Sequence, residues 1–379
     1  MKLYIIAGET SGDFIGGQLI ESLHKLSPDK HLEIQGVGGV HMQNKGVESL
    51  FPLNQINLMG FLEVLPHLLR IKKLINKTVQ HIVTYNPDIL ITIDSPGFTF
   101  RVAKKVRAIA PHIKLVHIVA PSVWVYKPGR AKKYANLYDC LLTLLPFEPP
   151  YFTKHGLDTI CIGHPVLEQN FKFNSQILKK DFALDKNVKI IAVTPGSRPG
   201  EIERHMPVIT EVCNNLSLDY NIKIIFVQTD KTYVNKISDY LDEAKFQFMF
   251  STDRIKAFAV SDCVLAKSGT NTLEIAATGT PMLIGYKLNM LTFYILKMII
   301  RIKYACLINI IADKEIIPEY IQLNFNANKI TPQLKLLLDQ GNRGNPQVLE
   351  SRKILQSIGF NSQAKPSEIA AKKILNLIQ

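Results

Sequence analysis

Three polar turns in this 379-residue chain combine residue types that can do chemistry. The first, Lys267-Ser268-Gly269-Thr270-Asn271-Thr272-Leu273-Glu274, lies between the apolar runs Cys263–Ala266 and Pro281–Gly285. That order reads as strand, turn, short helix, strand. A Gly/Ser/Thr turn at a helix start aims unpaired backbone N–H groups above the sheet edge, and their natural guest is an anion such as a diphosphate. Glu274 falls one turn inside the helix, where a carboxylate suits the paired hydroxyls of a ribose. The plain alternative is an ordinary βα connection with a Ser/Thr cap. The second turn, Thr194-Pro195-Gly196-Ser197-Arg198-Pro199-Gly200-Glu201, carries an arginine ahead of a helix. A planar guanidinium can fork onto two diphosphate oxygens while the helix start adds N–H donors. The third, Asp94-Ser95-Pro96-Gly97-Phe98, ends the stretch Asp88–Ile93, which reads as a buried parallel strand. An aspartate at the carboxyl end of a buried parallel strand sits where open α/β sheets bind ligands, or else caps the following helix.

The elements that must position these turns follow a strand-then-loop rhythm. Leu3–Ala7 is a strand, Gly8-Glu9-Thr10-Ser11-Gly12-Asp13 a Gly-rich turn, and Phe14–Leu26 a helical pattern. The glycines do not match G-x-G-x-x-G, so a dinucleotide fingerprint is absent. Glu9 and Asp13 are poor company for a phosphate but suit the hydroxyls of a sugar. Further strands are expected at 31–37, Asp88–Ile93, Lys114–Val119, Cys140–Leu144 and Thr159–Ile162. The single tryptophan, Trp124, falls in the loop after Lys114–Val119, at the same sheet edge. His164 beside Pro165 reads as a structural hydrogen-bonding residue. Between Val166 and Asn187 the rhythm lapses into a polar linker, and a second series begins: Val188–Val193, Lys223–Val227, Phe246–Phe250, Cys263–Ala266 and Met282–Gly285. The pattern predicts two doubly wound, Rossmann-like α/β domains facing across a cleft, 1–170 and 171–379, with the last helix available to pack back on the first domain.

Composition sets limits. Hydrophobic content of 46% with 20% charged residues is that of a folded chain, which excludes disorder. A formal charge of +13 asks for an anionic partner: nucleic acid, an anionic membrane surface or a phosphorylated substrate. Nucleic acid is the weakest of these, because no basic stripe interleaved with aromatics and no zinc-finger or RNA-binding signature is present. Cys140, Cys161, Cys213, Cys263 and Cys306 form no C-x-x-C pair, so neither a disulfide framework nor a zinc site is indicated and a reducing cytosol is expected. No signal-peptide pattern is evident. The most apolar segment, Leu288–Ile311, is broken by Lys297, Arg301 and Lys303 and falls short of a spanning helix. Leu58–Lys73 is apolar nearly all round, with Arg70, Lys72 and Lys73 at its end. It reads as a buried helix or as one lying in a membrane interface on anionic headgroups.

Taken in order, several motifs span nearly the whole chain: Ala7–Asp13, Ile93-Asp94-Ser95-Pro96, Pro121-Ser122-Val123-Trp124 and Leu145-Pro146-Phe147-Glu148. They continue with Gly163-His164-Pro165, Pro195–Arg198, Ser268–Glu274, Gly279-Thr280-Pro281-Met282 and Pro318-Glu319-Tyr320-Ile321-Gln322. Together they resemble the lipid-A-disaccharide synthase family, cytoplasmic-face glycosyltransferases of GT-B type. The resemblance implies transfer of 2,3-diacylglucosamine from UDP to the 6-hydroxyl of 2,3-diacylglucosamine 1-phosphate, with inversion in a single displacement. It implies no metal and no cofactor, and no D-x-D pair stands in the chain to hold a metal. It implies a peripheral protein on the inner face of the inner membrane. Carried over residue by residue, Asp94 becomes the general base and Arg198 the group that neutralises the departing diphosphate. Gly8, Glu9, Ser11, Asp13, Trp124, Ser197, Ser268, Gly269, Thr270, Asn271, Glu274, Asn309, Glu319 and Gln322 become substrate-binding. The chain departs from the family's D-x-P-D-F-N motif, with Gly97 for the second acid and Thr99 for the asparagine, and Tyr126 stands where a second tryptophan is common. Rival readings are another UDP-sugar enzyme of this fold (a peptidoglycan lipid transferase or a UDP-N-acetylglucosamine 2-epimerase), a Rossmann oxidoreductase, which the missing fingerprint disfavours, and a non-catalytic membrane-associated scaffold.

Overall fold

A strand such as Ile89–Ile93, all Ile, Leu and Thr, offers water no face and is stable only with layers on both sides. That is how the chain uses it. In the computed structural model, which describes residues 1–377 apart from 30, 57–67, 183, 186, 229, 301 and 343, the strand is buried at every position. It is the third strand of a sheet built from β1 (Lys2–Ala7), β2 (Glu33–Val37), β3 (Ile89–Ile93), β4 (Lys114–Ile118), β5 (Cys140–Thr143) and β6 (Asp158–Cys161). Every pairing is parallel and the order is β2-β1-β3-β4-β5-β6. The order reverses between β1 and β3, which brings the loops after those two strands side by side at the carboxyl edge.

A second parallel sheet repeats the device with β7 (Lys189–Val193), β8 (Ile222–Val227), β9 (Gln247–Ser251), β10 (Cys263–Ala266), β11 (Met282–Tyr286) and β12 (Glu319–Ile321). Its order is β12-β11-β10-β7-β8-β9, so the reversal falls between β7 and β10. The chain divides into two units, one of Met1–Glu168 with Asn361–Gln379 and one of Gln169–Phe360. The last helix, Pro366–Asn376, lies on the first, Thr10–Leu26. Ser22 donates to Ser367 at 2.8 Å, Lys25 reaches Glu368 at 2.7 Å, and the Ser367 N–H and hydroxyl both donate to Glu168.

Several elements differ from the sequence reading. The first helix begins at Thr10 and not at Phe14, because Glu9 is already the extended cap and Asp13 N–H closes the first turn on the Glu9 carbonyl. The polar linker contains a helix, Ser175–Asp181, and β12 was not foreseen. Most of the Leu58–Lys73 segment lies outside the described residues. From Leu68 the chain is helical to Tyr85, with Ile71, Leu74, Ile75, Val79 and Ile82 in the core of the first unit and Leu69 77% exposed. No described helix is long and apolar enough to cross a membrane.

The first core holds a costly group. His117 on β4 is buried between the rings of Tyr134 and Tyr138, its Nδ1 2.8 Å from Thr92 Oγ1, and its Nε2 has no hydrogen-bond partner among the described residues. Burial pushes its pKa down to about 3. The unfolded chain, with a histidine pKa of about 6.5, therefore binds the extra proton first as pH falls. Stability rises with pH between about 3 and about 6.5 and is lost on acidification, with a limiting slope near 1.4 kcal/mol per pH unit for one group. His117→Phe is expected to flatten the fall of melting temperature between about pH 6.5 and pH 4. Identical pH slopes in variant and parent would show that the folded core accepts the charged ring.

Candidate active site

At the reversal point of the second sheet, two loops are stitched together. Lys267 N–H donates to Thr194 Oγ1 at 2.8 Å, and Asn271 Nδ2 reaches the same oxygen at 3.4 Å. Lys267 Nζ bridges to Ser197 Oγ at 2.8 Å and to Glu201 Oε2 at 3.0 Å. Glu201 is buried, yet its carboxyl pKa is lowered. Burial alone would raise it, but Lys267, the Ser197 N–H and the Tyr286 hydroxyl outweigh that penalty. Two helices, Pro199–Ser217 and Asn271–Thr278, start from these loops. Arg198 occupies the extended cap position of the first and is exposed, and proline at its first position costs no hydrogen bond. Gly269 has φ +152°, a conformation that L side chains rarely adopt, so the turn into the second helix needs glycine there. Ser268 donates to the Ala305 carbonyl at 2.7 Å, and Thr270 is exposed at the helix start. Two helix starts and Arg198 share one sheet edge, an arrangement chemically suited to an anion, while Lys267, paired with Glu201, links the two loops.

Other expected substrate contacts of this unit are turned inward. Glu274 is 2% exposed and forked by Arg254, whose Nε and Nη2 each lie 2.7 Å from a carboxylate oxygen, and Gln169 donates to it at 3.2 Å. Asn309 is fully buried and satisfies the Ile316 and Ile317 N–H groups, the Ile317 carbonyl and Glu319. Glu319 accepts from the Ala305 and Cys306 N–H groups. Gln322, at φ +57°, accepts from Leu288 N–H. These side chains hold the loops of the site in place. Removing Arg254 leaves Glu274 buried with much of its partnering gone. Since the Arg254 side chain is 42% exposed and water can partly replace it, Arg254→Ala is expected to cost about 1–2 kcal/mol in urea unfolding. Arg254→Lys should restore only part, because an ammonium cannot fork. Unfolding curves unchanged in both variants would mean that the pair contributes nothing.

The first sheet has its own crowded edge. Gly8 N–H donates to the Ile93 carbonyl, and a Cβ on Gly8 would lie 2.0 Å from Ser95 Cβ, so the loops after β1 and β3 meet only because Gly8 has no side chain. Asp94, Ser95 and Val119 all have positive φ, at 54°, 45° and 75°, and such strain concentrates where a side chain must be aimed. Thr99, in the place of the family's asparagine, donates to the Asp94 and Ser95 carbonyls and so braces this loop. Gly97 is exposed, with room for a side chain. Asp94 is half-buried; burial pushes its carboxyl pKa up, and the Ser95 N–H at 2.7 Å opposes that in part. Asp13, by contrast, is buried and accepts from the Gly39, His41 and Met42 N–H groups, capping the short helix Val40–Gln43. Glu9 is half-exposed and Ser11 exposed.

Two motifs meet beside them. Trp124 Nε1 donates to Glu148 at 3.2 Å, and its ring stands edge-on to Phe147 at 5.1 Å. Glu148 also accepts from the Leu144 and Leu145 N–H groups, and burial pushes its pKa up to about 7. Sequence reasoning did not single out Glu148, Lys267, Glu201 or Arg254 as site residues. Their signals were present for three of them, inside the Leu145–Glu148, Lys267–Glu274 and Thr194–Glu201 stretches, but not for Arg254. His164 is buried, with Nδ1 accepting from Val166 N–H, and burial lowers its pKa to about 4.

With this geometry in view, the comparisons are specific. A family model described as lipid-A-disaccharide synthetase matches residues 3–374. The lipid-A-disaccharide synthase of Rickettsia prowazekii (strain Madrid E) is 54% identical over 376 residues, covering 98% of each chain. That of Rickettsia bellii (strain OSU 85-389) is 53% identical with the same coverage. Among solved structures, the UDP-GlcNAc 2-epimerase from Neisseria meningitidis bound to UDP-GlcNAc superposes with a TM-score of 0.63 at 12% identity, covering 99% of this chain and 100% of that one. The spinosyn forosaminyltransferase SpnP gives 0.61 at 13%, covering 100% and 98%. At such identities the structural likeness shows the fold alone, two doubly wound α/β domains of GT-B type.

Proposed function

This chain belongs to the lipid-A-disaccharide synthase family, and from that premise we propose how its residues carry the reaction. It is a glycosyltransferase that moves 2,3-diacylglucosamine from UDP to the 6-hydroxyl of 2,3-diacylglucosamine 1-phosphate, giving the lipid A disaccharide 1-phosphate and UDP. The acceptor oxygen attacks the anomeric carbon while the bond from that carbon to the diphosphate oxygen breaks. The hydroxyl proton passes to Asp94 and the bonding electron pair leaves with UDP. Asp94 is suited to this by a raised pKa and by a backbone that fixes its direction. Arg198, with Lys267 and the two helix starts, meets the charge that grows on the leaving diphosphate. The unit Gln169–Phe360 holds the nucleotide in this reading, and the unit containing Asp94 receives the acceptor at a membrane surface on the cytoplasmic side.

The observation that carries this reading is the full-length family match, and the two helix starts with Arg198 at the β7–β10 reversal support placing the diphosphate there. The epimerase neighbours share the fold but not the sequence, which favours transfer over epimerisation. The decisive assay is UDP release from UDP-2,3-diacylglucosamine with and without the phosphorylated acceptor. Acceptor-dependent release supports transfer. Conversion of UDP-N-acetylglucosamine to its 2-epimer without an acceptor would overturn it.

A further inference from the structure

The segment from Lys287 to Ala305 leaves the second unit's sheet edge and returns to it. At its start, Lys287 N–H donates to His205 Nε2 and the Lys287 carbonyl accepts from Arg204, both on the helix that begins at Arg198. At its end, the Ala305 carbonyl accepts from Ser268 and the Ala305 N–H donates to Glu319. Between these anchors runs the helix Met290–Ile299, MLTFYILKMI. Met290, Tyr294 and Met298 recur every four residues and so share one face. They are 43%, 54% and 81% exposed, and Ile299 is 38% exposed. Gln322 touches the Met290 sulfur, which brings the neighbouring Leu323, 78% exposed, to the same patch. Exposed apolar surface of this kind, gathered on one element, marks a contact with something apolar.

We propose that this helix is where the second unit rests on a lipid bilayer bearing anionic headgroups. Charge selects that occupant. Between Glu274 and Asp313 the sequence has no Asp or Glu, while Lys287, Lys297, Arg301 and Lys303 are basic. Lys297 and Lys303 are exposed at and just beyond the apolar helix. An apolar face flanked by lysines, too short to span, lies in the interface plane with its side chains among the acyl chains. The patch is tied through Ser268 and Arg204 to the loops that hold the anion site. The proposal rests on the transferase reading only in that the substrates are acylated, and the UDP-release assay tests that separately.

The test is co-sedimentation with phosphatidylethanolamine vesicles with and without phosphatidylglycerol. Tyr294→Ser with Met298→Ser is expected to weaken partition onto the anionic vesicles at least about tenfold. Its melting temperature and UDP affinity should match the parent, since both side chains are more than half exposed. Lys297→Gln and Lys303→Gln should each cost about fivefold at low salt, a difference that salt erases. Partition unchanged in the double variant overturns the proposal. So does a parent that is a dimer, with the double variant monomeric and vesicle binding intact, since the patch then meets a second copy. Unchanged vesicle binding with a raised KM for the acylated donor also overturns it, since the patch then holds the donor's own chains.

Discussion

Asp94→Asn is expected to lose turnover by about 10²–10⁴-fold while keeping the parent's UDP affinity, because it removes the proton acceptor and leaves the anion site untouched. The amide is close in shape, and the Ser95 N–H and Thr99 hydroxyl bonds that fix the loop remain available. The pH dependence carries a second signature. Burial raises the Asp94 pKa, so the carboxylate becomes a base only above a value higher than the usual range near 4. Parent activity should therefore decline on acidification through that raised value, and the residual activity of Asp94→Asn should lack that limb. Steady-state rates across pH, with calorimetric titration of UDP, measure both. Near-parental turnover would move the base elsewhere. Glu148, pushed to about 7 and linked to Trp124, is then the first candidate. Asp13, whose carboxylate is engaged by three N–H groups, is not.

Arg198→Ala is expected to lower turnover by about 10²–10³-fold, the range found when one donor to a developing oxyanion is removed. The half-saturation value for the donor should change far less, because charge grows on the diphosphate mainly as the bond breaks. Lysine at 198 should restore only part, since a point charge cannot fork onto two oxygens. Lys267 and the helix starts remain in the variant and are expected to supply its residual rate. Unchanged turnover with only weaker donor binding would make Arg198 a ground-state anchor.

The strands that support these residues were legible because their signal is local. Leu3–Ala7 is an unbroken apolar run and Ile89–Ile93 one interrupted only by Thr92, both end in polar turns, and both are buried at every residue. Strand β12 has only three residues, too few for a period to show. The helix Ser175–Asp181 sits in a lysine-rich stretch where turns and helices look alike. The placement of Asp94, Arg198 and Ser268–Asn271 at carboxyl edges could be read from strand-then-turn order. The partners of Asp13 and Glu274 could not, because the loop at Gly39 and the guanidinium of Arg254 reach them only through tertiary packing. A polar side chain in a motif looks the same in sequence whether it faces a ligand or braces a loop. Asn309 and Glu319 illustrate this, since both are engaged by backbone and by each other.

The first unit is interrupted in sequence by the whole of the second, and the helix Pro366–Asn376 that completes it comes afterwards. During synthesis the face of the helix Thr10–Leu26 that will bury Ala371 and Ile374 must wait uncovered until residues 169–360 have left the ribosome. At about 5–20 residues per second that wait is about 10–40 s. The second unit, continuous in sequence, can fold during that interval, so the nascent chain matures from its middle outward. A proteolytic nick between residues 361 and 365 would accordingly strike the unit that begins the chain while sparing the one it follows.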